Sequence, residues 1–212
     1  SLNGVGYATI QAAMNAIVAA DQIIILGPGT YSEDVTWTNY KNCTIAAQIP
    51  GTAVIEAVTA FAVTMDPHVT DSKTWTGTLW GVGLSHGTGL VGLQIDNHNV
   101  GARMNIMLND VEIESQTVTD HAIDVNRTGT AAIRIYAVAS GSCLIEGLVH
   151  VILEHAEDRV RFTGYRLIGG ITLTGEIANA EITLINCGIL TNGRAFPAAA
   201  THNLIGCWTE TD

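Results

Sequence analysis

The strongest constraint on the fold is the pattern of short apolar segments that fills the chain after residue 20. These segments are rich in Val, Ile and Thr, and they are separated by Gly, Asn and Asp. Branched residues favour half-buried strands, whereas the separating residues favour turns. Pro occurs only four times in 212 residues, which permits long ladders of backbone hydrogen bonds. The sequence therefore predicts an all-β protein, either a sandwich, a barrel or a solenoid.

Loose repeats with a step near 20 residues favour the solenoid. Cys187 and Cys207 lie 20 residues apart, and Cys143 precedes Cys187 by 44 residues, about two steps of 22. Leu-Ile pairs recur with similar steps in the same half of the chain. A repeat of this length suits one turn of a stacked β-structure. Because stacked turns place like residues over like, we expect these Cys side chains in an interior ladder.

The first twenty residues predict a different element. Apolar residues between Tyr7 and Val18 fall on one stripe at helical spacing, which predicts a helix over Ala8–Ala19 with Thr9 as its N-cap. An open solenoid exposes core at its ends, and this helix is placed to cover the first coil. We therefore predict one domain over residues 1–212, with a capping helix in 1–20 and coils in 21–212. No matching cap follows Asn203–Trp208, which favours self-association at that end.

Two N-terminal segments carry a family resemblance. Tyr7–Ala13 and Ile23–Val35, the latter containing Gly29-Thr30-Tyr31-Ser32-Glu33, resemble the opening of pectin lyase-like β-helices, most closely the pectinesterase branch. The resemblance covers about thirty residues. It implies a single-stranded right-handed parallel β-helix, entered through a capping helix, a buried strand and a Gly-x-Tyr-x-Glu turn.

The catalytic motifs of pectinesterases are missing from this sequence. We find no Asp-Phe and no Gln-Asp pair, and Gly193-Arg194-Ala195-Phe196 only faintly resembles the Leu-Gly-Arg-Pro-Trp segment. Non-enzymatic β-helices, including phage tail and capsid-surface proteins, share the same opening. The resemblance therefore supports the fold more than an activity.

Three residues are candidates for catalysis if the protein is an enzyme. Asp124 and Glu146 lie 22 residues apart, one apparent coil, so they could stack as paired carboxylates on a lateral face with Arg134. The alternative is that both carboxylates are solvated residues of alternating strands, and the pattern favours this alternative. The charged run Glu154–Arg159 is likewise read as a solvated loop between strands.

Tryptophans are the candidates for contact with a partner or a glycan. Trp75 and Trp80 fall in the stretch Thr70–Gly83, which has the character of a loop. They suit a subunit interface, where Trp is enriched, better than a sugar-stacking platform. Trp208, near the end of the sequence, is a third candidate.

Charge and cysteine usage exclude several classes of protein. The net charge of −11 argues against nucleic acid and against anionic membrane surfaces, because both require clustered Lys and Arg. The four Cys residues show no metal-binding spacing, so we expect neither a metal nor another cofactor. No apolar stretch is long enough for a membrane span, and no secretory signal is visible.

The leading functional expectation is a non-enzymatic structural protein on the surface of a virus particle. It would be a capsid-decorating or spike-like component of a phage that forms a homotrimer and contacts other virion proteins such as the major capsid protein. One alternative is a carbohydrate-active enzyme, namely a polysaccharide lyase, esterase or hydrolase. Another is an extracellular adhesin that binds surface glycan without cleaving it.

Overall fold

The computed structural model describes residues 1–2, 4–38, 41–67, 74–98, 103–175, 179–190, 194–195 and 201–210. These residues form one helix, α1 (Ile10–Asn15), and 21 strands. The strands are β1 (Gln22–Leu26), β2 (Gly29–Ser32), β3 (Val35–Trp37), β4 (Cys43–Ala47), β5 (Ala53–Glu56), β6 (Phe61–Met65), β7 (Thr74–Trp80), β8 (Val82–His86), β9 (Val91–Asn97), β10 (Arg103–Asn109), β11 (Glu112–Ser115), β12 (His121–Arg127), β13 (Ala132–Glu146), β14 (Leu148–Ile152), β15 (Arg159–Ile168), β16 (Ile171–Thr174), β17 (Glu181–Ile185), β18 (Gly188–Leu190), β19 (Arg194–Ala195), β20 (Thr201–Ile205) and β21 (Trp208–Glu210).

The strands pair in parallel and form three ladders. The first ladder is β1-β4-β7-β10-β13-β15-β17-β20, and the second is β2-β5-β8-β11-β13-β15-β18-β21. They merge into one 14-stranded sheet because the long strands β13 and β15 run through both. The third ladder, β3-β6-β9-β12-β14-β16-β19, is a separate seven-stranded sheet. The predicted all-β class is confirmed, and the curled parallel sheets are compatible with a β-helix or solenoid-like fold.

The core consists of apolar columns that run across the ladders. In the first ladder, strand register aligns one inward residue from each of eight strands. Seven of them are at most 1% exposed, and only Leu204 on β20 is open, at 45%. Such aligned burial removes apolar surface from water on seven of the eight strands, which is the main stabilising contribution in folding. The column is Ile24, Ile45, Leu79, Leu108, Ala137, Phe162, Leu184 and Leu204.

We call the stretch of chain from one residue to its register neighbour on the next strand of a ladder one coil, and these coils differ in length. In the first ladder the coil from Ile24 to its register neighbour Ile45 is short, and so is the last coil, which ends at Leu204. The coil from Ile45 to its neighbour Leu79 is much longer. The predicted step near 20 therefore fits the outer coils and fails in the middle of the ladder.

The predicted interior ladder of cysteines is present in the last coils. Cys143 pairs with Tyr165 in the register of β13 and β15. Continued by one residue, the registers of β18 and β21 align Tyr165 with Cys187 and Cys187 with Cys207. Cys143 and Cys187 are buried, and Cys207 is half-buried. Tyr165 is fully buried and fills the position between Cys143 and Cys187.

The N-terminal helix is shorter than predicted. Thr9 is the N-cap, as expected, and its hydroxyl accepts a hydrogen bond from the backbone N–H of Ala12. The carboxylate of Glu33 accepts two further N–H groups of the first turn, which ties the helix to the segment before β3. The helix ends at Asn15 instead of Ala19, because the Gln22 side chain accepts the N–H groups of residues 18 and 19.

The described part of the predicted loop Thr70–Gly83, residues 74–83, is mostly strand, contrary to the prediction. Residues 70–73 lie outside the described part of the chain, but β7 and the start of β8 follow them. In β7 the side chains alternate between buried and accessible positions, with Trp75 and Leu79 buried. Thr residues that alternate with Trp, Gly and Leu thus form a half-buried strand here.

Candidate functional site

The three predicted catalytic residues lie on three different ladders. Asp124 is in β12 of the third ladder, Glu146 ends β13 in the second, and Arg134 is near the start of β13 in the first. The residue aligned with Asp124 on the following coil is His150, not Glu146. The spacing between the two carboxylates therefore does not mark one coil at this point. The candidate stack of Asp124 on Glu146, with Arg134 on the same lateral face, which the sequence pattern had not favoured, does not form.

Asp124 instead lies beside two imidazoles. Its Oδ1 is 2.8 Å from Nδ1 of His150 and 3.5 Å from Nδ1 of His121. The two rings stack with their centroids 5.5 Å apart and their planes at 24°. Nε2 of His150 lies 3.5 Å from the hydroxyl of Thr174 on β16. We name His121, Asp124 and His150 the histidine cluster. Its side chains are 37%, 14% and 23% exposed, so the cluster is accessible at the surface.

A β-bulge places His121 on the same face as Asp124. Residues three apart in a regular strand point to opposite faces. Here His121 and Ile123 pair with two consecutive residues of β14, so β12 contains one extra residue. The two residues between His121 and Asp124 are both buried, as this bulge requires. Gly147 leaves room for it, because a β-carbon there would lie 2.7 Å from a backbone oxygen just before β12.

The first ladder carries a basic patch, which we define as Arg134, Arg159 and Arg161. Arg134 and Arg159 are register neighbours on β13 and β15. Arg134 is 3.3 Å from a carboxylate oxygen of Glu157, and Arg159 is 3.3 Å from one of Glu181. Among the residues that the structure describes, Arg161 has no ion-pair partner. The patch therefore retains one uncompensated positive charge in an acidic protein.

An apolar stripe runs beside the basic patch along the whole first ladder. Strand register aligns one outward residue from each of eight strands, and six of the eight are apolar. Four large side chains are open to solvent, with Ile25 at 43%, Trp80 at 40%, Val138 at 44% and Ile205 at 56%, whereas Ile185 is half-buried and Ala46 is buried. Single exposed apolar residues are ordinary, but four of them aligned along one face, with smaller or half-buried residues between them, favour an interaction surface. The apolar stripe consists of Ile25, Ala46, Trp80, Asn109, Val138, Thr163, Ile185 and Ile205.

Carboxylates border the other side of the stripe. Asp110, Glu112 and Glu114 line a cleft of about 550 Å³ whose wall includes Trp80. The Ser140 hydroxyl lies in the same cleft and donates to Asp110 at 2.8 Å. We name this feature the acidic cleft. Along the direction of the strands, the apolar stripe thus separates positive from negative surface.

The predicted contact tryptophans divide into one core residue and two surface residues. Trp75 is 1% exposed, and its ring meets Trp37 edge to face at a centroid distance of 5.2 Å. It fills the core against Gly77, where a β-carbon would lie 2.3 Å from the indole. Trp75 is therefore not a contact residue, contrary to the prediction. Trp80 and Trp208, at 40% and 48% exposed, remain accessible.

The charged run Glu154–Arg159 is only partly a solvated loop. Asp158 is fully buried, and its carboxylate accepts a hydrogen bond of 2.7 Å from Nη1 of Arg127. It also accepts the backbone N–H of Ile133 and two N–H groups at the start of the run. The prediction was wrong for Asp158, which has a structural role at this corner. By contrast, Glu157 is exposed, and its hydrogen bond with Arg103 lowers the pKa of its carboxyl.

Known proteins give no functional assignment for this chain. No family model matches it, and neither the curated proteins nor the solved structures show a match. Within the described residues, no helix is long and apolar enough to cross a bilayer. Function is therefore argued from the geometry of the surface.

Sequence reasoning identified Asp124 but missed its partners. His121 and His150 are far apart in the sequence and follow no metal-ligand spacing. Their approach depends on the bulge in β12 and on the length of the intervening coil, neither of which leaves a pattern in the sequence. The apolar stripe was missed for the same reason, because its members are unevenly spaced along the chain.

Proposed function

We propose that this chain forms a single-stranded right-handed parallel β-helix that assembles as a homotrimer. In this proposal the three ladders are the three faces of the helix. The trimer serves as a non-enzymatic structural component on the outside of a virus particle, such as a capsid-decorating or spike-like protein of a phage. The observation that carries the proposal is the apolar stripe, exposed along the first ladder between flanks of opposite charge.

A cyclic trimer uses the two charged flanks together. In such an assembly each copy presents one surface to one neighbour and a different surface to the other. With three rods side by side, the basic patch of one copy faces the acidic cleft of the next. Arg161 then gains Glu112 and Glu114 of a neighbour as counter-charges. This pairing offsets the repulsion between copies that each carry a net charge of −11.

The stripe has the dimensions of a specific interface. Eight strands spaced about 4.8 Å apart span about 34 Å along the rod. The distance from the basic patch across the stripe to the acidic cleft is about seven residues, or about 23 Å at the rise of a strand. The product is at most on the order of 800 Å², because the path crosses from the first ladder to the second, and this upper value equals the area that each partner buries in a stable protein complex.

The location on a virus particle is supported by the sequence resemblance. The segments Tyr7–Ala13 and Ile23–Val35 resemble an opening that phage tail and capsid-surface β-helices share. Coils joined by backbone hydrogen bonds in three ladders make a rigid rod with few sites for proteolysis, which suits an exposed position. The partners at the particle surface would be other virion proteins, such as the major capsid protein.

Charge reversal on the two flanks tests the assembly. Arg161→Glu or Glu112→Arg should each lower the solution mass from trimer to monomer, because each places like charges across the interface. The double variant restores opposite charges and should recover the trimer. Light scattering coupled to size exclusion gives the mass, and circular dichroism shows that each variant is folded. Failure of the double variant to recover the trimer would contradict the proposed pairing.

A matched pair of Val substitutions tests the stripe itself. Val138 on the stripe is 44% exposed, and Val118, in the turn before β12, is 39% exposed. Val138→Glu should dissociate the trimer because it places a charge in an apolar contact. Val118→Glu introduces the same charge away from the stripe and should leave the mass unchanged. Equal effects of the two changes would argue against the stripe as the interface.

The acidic cleft favours glycan binding as a second candidate function. An exposed indole beside carboxylates and a hydroxyl can stack on a sugar ring and hydrogen-bond to its hydroxyl groups. Trp80, Glu112 and Ser140 provide these groups. A monomeric wild type that binds a neutral oligosaccharide, with binding lost in Trp80→Ala and retained in Trp208→Ala, would support this function in place of the trimer.

A further inference from the structure

We propose that the histidine cluster binds one divalent transition-metal ion of the Zn²⁺ type. The three ligands are Nδ1 of His121, a carboxylate oxygen of Asp124 and Nδ1 of His150. The cluster lies on the third ladder, whereas the apolar stripe and its charged flanks lie on the first and second. The metal site is therefore independent of the proposed trimer.

The donor atoms select the class of metal. Two imidazole nitrogens with one carboxylate oxygen suit Zn²⁺ and neighbouring transition ions, whereas Ca²⁺ and Mg²⁺ prefer sites made of oxygen alone. Within the described residues, this is the group of three or more His, Cys, Asp and Glu whose ligand atoms all lie within 4.8 Å of one another. A second close His–Asp pair, His98 and Asp66, lies outside this group.

The distances fit a tetrahedral ion. Ligand atoms about 2.0–2.1 Å from zinc are about 3.3 Å from one another in tetrahedral geometry. The separations of 2.8 Å for Asp124 to His150 and 3.5 Å for Asp124 to His121 lie on either side of this value. All three ligand atoms lie within 4.8 Å of one another, so binding of one ion requires side-chain rotations that draw the two imidazole nitrogens together.

The backbone holds the ligands in place before the metal binds. Asp124 and His150 are register neighbours on adjacent strands, so ladder hydrogen bonds fix their separation. The bulge in β12 brings His121 to the same face. Bulges are common next to functional sites because they re-aim a side chain at the expense of regular pairing. At this position the bulge produces the third ligand.

Thr174 supports the site from the following coil. When Nδ1 of His150 binds a metal, the ring proton resides on Nε2, which then needs an acceptor. The Thr174 hydroxyl lies 3.5 Å from that nitrogen and supplies one. Metal-ligating histidines commonly have such a partner, which fixes the tautomer and the orientation of the ring. Three protein ligands on an accessible surface leave the fourth position to water.

Zinc titration of the chelator-treated chain tests the proposal. Isothermal calorimetry should show one Zn²⁺ per chain, with no comparable binding of Ca²⁺ or Mg²⁺. His121→Ala and His150→Ala should each lower the affinity by at least about tenfold, and Thr174→Val by about tenfold, as is typical for loss of an outer-shell partner. His98→Ala removes a His–Asp pair of the same 2.8 Å length and should leave the affinity unchanged.

Three results would overturn the metal site. They are the absence of saturable zinc binding to the folded wild type, full binding in the folded His121→Ala variant, and an equal loss of binding in His98→Ala. The readout is separate from the test of assembly, because Val138→Glu should bind zinc normally even when it is a monomer. Since His121 is the most exposed ligand, its variant keeps the test decisive if His150→Ala does not fold.

Discussion

Asp158→Asn tests how strongly the fold depends on one buried pair of charges. Asp158 is fully buried, the Arg127 side chain is 2% exposed, and the two groups are 2.7 Å apart. Breaking such a buried pair costs about 3–5 kcal/mol, and here it leaves the buried Arg127 guanidinium with the exposed Glu154 carboxylate, 3.9 Å away, as its counter-charge. The substitution also puts an amide where the carboxylate accepts three backbone N–H groups, and an unsatisfied group adds about 1–3 kcal/mol.

The expected total is a loss of about 4–8 kcal/mol in the free energy of unfolding, a large part of the roughly 5–15 kcal/mol that stabilises a domain. Urea unfolding at one protein concentration, followed by tryptophan fluorescence, measures it. Arg127→Met should cost less, about 1–3 kcal/mol, because the carboxylate keeps its backbone donors. Glu157→Gln is the control, since this exposed carboxylate is 2.6 Å from Arg103 and its loss should not shift the midpoint measurably. Equal midpoints for Asp158→Asn and Glu157→Gln would refute the reasoning.

Three further experiments each test the surroundings of one buried residue. Gly77→Ala forces a β-carbon to 2.3 Å from the Trp75 ring, so the thermal midpoint should fall, at a cost of about 1–3 kcal/mol; an unchanged midpoint would show that the ring can move. Burial lowers the pKa of His86 from 6.5, so the unfolded chain binds its proton more readily and stability should fall as the pH drops below 6.5; thermal melts at pH 7.5 and 5.5 should show a smaller fall in His86→Gln. Burial raises the pKa of Cys43 to about 12, and the native chain should react with a thiol reagent chiefly at the half-buried Cys207, with all four thiols reacting after unfolding.

Local patterns predicted the start of the fold well. The strand expected after the capping helix is present as β1, although Ile23 and Ile25 are exposed in place of the expected burial, and Thr9 caps the helix. The end of the helix was misplaced because the Gln22 side chain, beyond the helical stripe, binds the N–H groups that would continue it. Trp75 was misplaced because Trp suits an interface and a core equally well by composition. Trp75 belongs to the core because it lies on the buried side of the alternating strand β7 and its ring contacts that of Trp37.

The surface sites depend on relations between coils, which the sequence does not show. The unequal coil lengths of the first ladder remove any fixed period, so neither the apolar stripe nor the column of core residues appears as a repeat. A single extra residue in β12 turns His121 to the face of Asp124. Asp158 shows the same limit, because its burial depends on Arg127 from the preceding coil.

The solution mass of the wild-type chain tests the central claim most directly. Sedimentation equilibrium over a range of protein concentrations gives this mass without assumptions about shape. The chain has a mass of 22.4 kDa, so the trimer predicts three times this value, with dissociation only on high dilution. A mass of 22.4 kDa at all concentrations would contradict the assembly through the apolar stripe.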